Sequence, residues 1–100
     1  MPTYSQKLEN VTVQNEDVPV VLRCKTSGQP EPEVTWLLNG KAIQPSSEVR
    51  MSDANGEHSL EITKFTAKWA GTYNAVANNV YGDAHSSCEV TLASKGTNRY

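Results

Sequence analysis

Four side chains in this 100-residue sequence could support metal or nucleophilic chemistry: Cys24, His58, His85 and Cys88. A closed zinc site needs four ligands at close pairwise spacings, and these four are too scattered to supply them. Alternation along the last strand-like segment points His85 outward and Cys88 inward, so that pair does not converge. Serine, histidine and aspartate are all present, but a triad requires convergent geometry and no spacing here provides it. There is no glycine-rich phosphate loop either. The expectation is a chain with no catalytic, cofactor-binding or metal-ligating residues, in which both histidines are solvated.

Nine basic residues against eleven acidic ones give a net charge of -2, and the basic ones are scattered from Lys7 to Arg99. No basic stripe exists to displace counterions from a phosphate backbone, so nucleic acid is not an expected partner. The longest apolar run, Val18 to Leu22, is interrupted by Pro19 and falls far short of the roughly 20 residues that span a bilayer. No membrane partner is expected. The first ten residues hold no apolar h-region, so no secretory signal is read there. Asn10-Val11-Thr12 is a glycosylation sequon, which would favour an extracellular home; such triplets also arise by chance, and this one lies on an expected strand.

The elements that must position these residues are strands. Period-two alternation runs through nearly every segment, and no stretch of helical length carries apolar residues at helical spacing. Val20, Leu22 and Cys24 share one parity, as do Val34, Trp36 and Leu38. Leu60 with Ile62, Tyr73 with Ala75 and Ala77, and Cys88 with Val90 and Leu92 continue the pattern. Each set is the inward face of a half-buried antiparallel strand. Asn39-Gly40 and Asn55-Gly56 suit tight hairpin turns, and "SGQPEPE" from Ser27 to Glu33 reads as a loop. The expected fold is all-β, a two-sheet sandwich in a single domain.

At this point the residues resemble an immunoglobulin domain of the I-set type, a Greek-key sandwich, over residues 4–94. Residues 1–3 then form an N-terminal tail and 95–100 a linker or C-terminal tail. Cys24 stands twelve positions before Trp36, the usual distance from the B-strand cysteine to the C-strand tryptophan, and "GQPEPEVTW" fits the family's loop. "GTYNAVANNVYG" fits the F-strand pattern at every named position except the cysteine. The resemblance implies that Trp36 fills the centre and that Tyr73 makes a tyrosine corner. Gly82 opens the F-to-G turn. A small C′ strand and a D strand around "EVRMS" lie between Trp36 and Leu60. It also implies a structural core built on Cys24, Trp36, Leu60, Tyr73, Ala75 and Cys88.

Two departures from the pattern carry information. Ala75 stands where the family places the cysteine that bonds to the B strand, so the usual bridge from Cys24 cannot form. In a loop-entropy treatment a bridge across those 51 positions contributes roughly 4 kcal/mol. A reducing compartment never supplies that bond, and Ala75 therefore argues for the cytoplasm. Two readings of the cysteines remain open: two buried thiols acting as hydrophobes, or a Cys24–Cys88 bridge. Trp69 stands where the family has an aspartate paired with a basic residue; Arg50 is the expected partner, its guanidinium over the indole face.

Intracellular members resembling this chain occur in giant muscle proteins and in palladin-like and telokin-like proteins. The resemblance implies a non-catalytic spacer, load-carrying unit and docking module of a sarcomeric or cytoskeletal protein. Its partners would be neighbouring immunoglobulin or fibronectin-type domains and other sarcomeric or cytoskeletal proteins. Antiparallel pairing of A′ with B and parallel pairing of A′ with G would resist pulling. Trp69, Arg50 and Tyr81 are the candidate partner contacts. The rival is an extracellular adhesion or receptor domain.

Overall fold

In a computed structural model that describes residues 1–93, the alternating segments become strands β1 (Thr3–Gln6), β2 (Val11–Val13), β3 (Val20–Ser27), β4 (Glu33–Leu38), β5 (Lys41–Ala42), β6 (Val49–Ala54), β7 (Glu57–Ile62), β8 (Gly71–Asn79) and β9 (Gly82–Leu92). One 3₁₀ turn, Ala67–Trp69, interrupts them. The strands form two sheets, ordered β1-β3-β7-β6 and β2-β9-β8-β4-β5. The expected tail contributes Thr3 to β1 and buries Pro2; the expected linker at 95–100 lies outside the described residues.

Alternation explains the layers. On β3, Val20, Leu22, Cys24 and Thr26 are buried while Arg23 and Lys25 are exposed. Tyr73, Ala75 and Ala77 do the same from β8, and Trp36 enters from β4. Burying apolar surface at roughly 25 cal/mol per Å² is what holds the two faces together.

Both Asn-Gly pairs make the two-residue turns expected of them. Asn39 and Gly40 have φ of 51 and 85, and Asn55 and Gly56 have 54 and 81, the positive pair that a type I′ hairpin requires. Glycine is needed at 56 for a second reason. A Cβ there would meet the Thr26 carbonyl oxygen at 2.7 Å, because Thr26 N–H donates to Gly56 O.

The N-terminal strands depart from the expected pairing. β2 does pair parallel with β9, Val11 opposite Val90 and Val13 opposite Leu92. The antiparallel pairing expected between β3 and the strand beside β9 falls instead to β1, with Thr3 opposite Ser27 and Tyr4 opposite Thr26, while β7 takes the other edge of β3. The chain slips register between Tyr4 and Gln6. It then crosses between the sheets at buried Leu8, whose N–H donates to Ser86 Oγ at 2.9 Å. One short strand cannot serve both sheets once the crossing intervenes, so the two edges are shared between β1 and β2.

Candidate functional site: the core tie, the E–F corner and the turn pole

The six expected core residues are buried: Cys24, Trp36, Leu60, Tyr73, Ala75 and Cys88 are at most 4% exposed. Both cysteines are free. Cys24 lies on β3 in one sheet and Cys88 on β9 in the other, so the two-thiol reading holds and the Cys24–Cys88 bridge is absent. Burial pushes the Cys24 thiol up to about 11, with Asp53 adding to it, and burial also raises Cys88. These are inert thiols, since the reactive species is the thiolate.

Sequence reading missed a polar group beside Cys24. The Tyr4 hydroxyl donates to the Ala75 carbonyl at 2.6 Å, reaching from β1 in one sheet to β8 in the other. Burial lifts this phenol above its usual range, followed by a contribution from Cys24. A hydrogen bond thus links the sheets at the residue that would otherwise carry a cysteine. The tyrosine corner also forms: the Tyr73 hydroxyl donates to Trp69 O four residues upstream.

Trp69 sits at this corner on the 3₁₀ turn, half-buried and packed against the core. Its indole N–H is sealed from solvent without a hydrogen-bond partner. The cation over its ring is Lys68, 5.4 Å from the centroid. This corrects the expectation for Arg50, which is exposed on β6 opposite Glu61. Lys68 also pairs with Glu48 at 3.2 Å, just before β6. An ion pair therefore spans the corner and the start of β6 with its polarity reversed relative to the family arrangement. Both side chains are well exposed, so its contribution to stability is small.

His58 is a further correction. It is buried, with Nδ1 2.6 Å from Asp53 Oδ1 and Nε2 2.8 Å from Thr26 Oγ1. A carboxylate only accepts, so Nδ1 carries the proton, and in the neutral ring Nε2 accepts the Thr26 hydroxyl hydrogen. A hydroxyl, an imidazole and a carboxylate thus converge, with threonine in place of the serine considered from the sequence. Thr26 is only 7% exposed, and the arrangement serves as a satisfied polar plug at one end of the core. The available signal was parity: His58 shares the inward face of Leu60 and Ile62. His85 is exposed as expected.

Tyr81 lies at the β8–β9 turn and is 68% exposed beside Val80 at 81%. Asn79 Oδ1 accepts the Tyr81 N–H and so fixes the turn, while Asn79 Nδ2 donates to Pro30 O in the β3–β4 loop. Met1, 72% exposed, brings its sulfur to 2.8 Å from where a Cβ of Gly82 would stand. Among the described residues these three are the exposed large hydrophobics, and they gather at one pole. No group of acidic, histidine and cysteine side chains among the described residues is arranged to hold a metal. No helix there is long and apolar enough to cross a membrane.

Known proteins share this fold. The titin homolog of Caenorhabditis elegans is 36% identical over 96 residues, which cover 93% of this chain and, rounded, 0% of that protein. Myopalladin of Mus musculus is 45% identical over 75 residues, covering 74% of this chain and 6% of its own length. This chain thus spans a small part of either relative. Among solved structures, the titin domains z1z2 in complex with telethonin superpose with a TM-score of 0.88 at 32% identity, covering 94% of this chain and 48% of that one. The immunoglobulin I-set domain description matches residues 2–92, and the chain belongs to that family.

Proposed function

We propose that this domain is a non-catalytic spacer and docking module of a long sarcomeric or cytoskeletal protein in the cytoplasm, joined to neighbouring immunoglobulin or fibronectin-type domains. The observation that carries the reading is the parallel β2–β9 pair. It joins a strand near one end of the domain to the strand at the other. Tension on the two ends loads its hydrogen bonds together, in shear, rather than one after another. Ala75 supports the reducing compartment, because the fold has replaced the covalent sheet-to-sheet link by the Tyr4–Ala75 hydrogen bond.

Docking is assigned to the pole of Val80 and Tyr81. Exposed aromatic and aliphatic side chains there offer an anchor of the kind that dominates interfaces. Trp69, by contrast, is committed to the corner of its own domain. The test is mechanical. Placed within a polyprotein of characterised domains and pulled by its ends, the domain should yield in one abrupt step. Gradual lengthening at low force would remove the load-carrying reading.

A further inference from the structure

The two Asn-Gly turns share one backbone geometry and differ in how their chemistry is restrained. An Asn-Gly pair is chemically labile because the glycine nitrogen can attack the asparagine side-chain carbonyl, and no side chain on glycine hinders the approach. At the first turn the electrophile is held. Asn39 Oδ1 accepts the Thr72 N–H at 3.0 Å, and the amide group packs so tightly on Gly71 that a Cβ there would lie 2.7 Å from it. Asn39 N–H also donates to Thr72 O.

At the second turn the Asn55 side chain is exposed and makes no hydrogen bond among the described residues. Restraint falls on the nucleophile instead: Gly56 N–H donates to Glu31 Oε2 at 3.1 Å. The attacking species is the deprotonated nitrogen. A carboxylate that accepts the N–H favours the protonated form, and its negative charge disfavours the amide anion. Glu31 is therefore a guard, and an exposed one on a separate loop.

We infer that Asn55 is a site of spontaneous deamidation and isoaspartate formation, restrained by Glu31, while Asn39 is protected by its own fold contacts. The Gly56 nitrogen loses its proton to solvent base and bonds to Asn55 Cγ. The Cγ–Nδ2 bond breaks, and ammonia leaves with a proton taken from solvent. Water then opens the succinimide at either carbonyl, so that asparagine plus water becomes aspartate or isoaspartate plus ammonia. The isoaspartyl product lengthens the backbone of a two-residue turn. That shift bears directly on the Thr26 N–H to Gly56 O bond and on the Ala54–Glu57 register. The modification thus loosens the end of the sandwich that His58 plugs.

The test is peptide mapping by mass spectrometry after prolonged incubation of the folded domain at neutral pH and body temperature. Isoaspartate is assigned with an isoaspartyl methyltransferase. Asn55 should convert faster than Asn39 in the wild-type domain, and the gap should widen about fivefold or more when the Glu31 hydrogen bond to Gly56 N–H is removed, the ratio that one ordinary hydrogen bond sets. Glu31→Ala, checked for unchanged stability, should accelerate conversion at Asn55 alone. In strong denaturant the two rates should converge. The inference is overturned if Asn39 converts as fast as Asn55 in the folded domain, if Glu31→Ala slows Asn55 or leaves it unchanged, or if the difference persists in denaturant.

Discussion

The Tyr4 hydroxyl donates a 2.6 Å hydrogen bond to the carbonyl of Ala75, joining an edge strand of one sheet to the middle of the other. The residue that lost the family's cysteine is therefore still the one through which the sheets are linked. Removing the hydroxyl by Tyr4→Phe keeps the ring and deletes the link. Urea unfolding should show a loss of about 1 kcal/mol, the net worth of one such bond. A midpoint unchanged from wild type would show that solvent replaces the bond at no cost.

Restoring the cysteine tests the same relationship from the other side. In Ala75→Cys, the new thiol faces the layer that holds Cys24. Under an oxidising glutathione buffer the denatured variant should titrate a single free thiol, Cys88. Stability should rise by up to roughly 4 kcal/mol, less whatever strain the extra sulfur brings to a packed site. Three free thiols under those conditions would mean that the B and F positions are not apposed.

Much of this layout was legible in the sequence, and the reasons differ between elements. Parity alone placed Cys24, Leu60, Tyr73 and Cys88 inward, because a half-buried strand must alternate. The two Asn-Gly turns were legible because few other residues tolerate paired positive φ. The division of labour between β1 and β2 was not, since both are short and neither shows a clean buried face. Nor was the choice of cation over Trp69: Lys68 is next to it in the chain, whereas the resemblance pointed to Arg50. His58 was misjudged by residue type. Histidine is commonly exposed, yet its strand parity with Leu60 and a register partner, Asp53, with a carboxylate to offer made burial affordable.

Alkaline pH provides an independent probe of the core. Burial holds Cys24 at about 11 against an ordinary 9.0, and raises Tyr4, Tyr73 and Cys88 as well. Well below pH 9, near pH 7, these groups are protonated whether folded or unfolded, and their full contribution is present. As pH climbs further, the unfolded chain ionises first and binds fewer protons than the native state. Stability must then fall, by at most about 1.4 kcal/mol per pH unit for each group. Urea midpoints should be nearly flat around pH 7 and decline as pH rises through 9, and Cys24→Ala should make the earliest part of the decline shallower, leaving the part that Cys88 contributes. A midpoint that rises in that range would contradict the buried-thiol assignment.

If the β2–β9 pair carries tension, single-molecule pulling of variants in and away from that pair will register it. The Val13 carbonyl accepts the Ala93 N–H at 2.8 Å. Alternation along the strand therefore turns the Val11 amide toward β9 as well, and Val11→Pro deletes a donor from the pair. His58→Ala disrupts the plug away from β2 and serves as the control, with the equilibrium loss of both variants measured by urea unfolding. Unfolding force should drop clearly for Val11→Pro and stay near wild type for His58→Ala. Equal forces for wild type and Val11→Pro, or a larger drop in His58→Ala, would contradict the load-carrying reading.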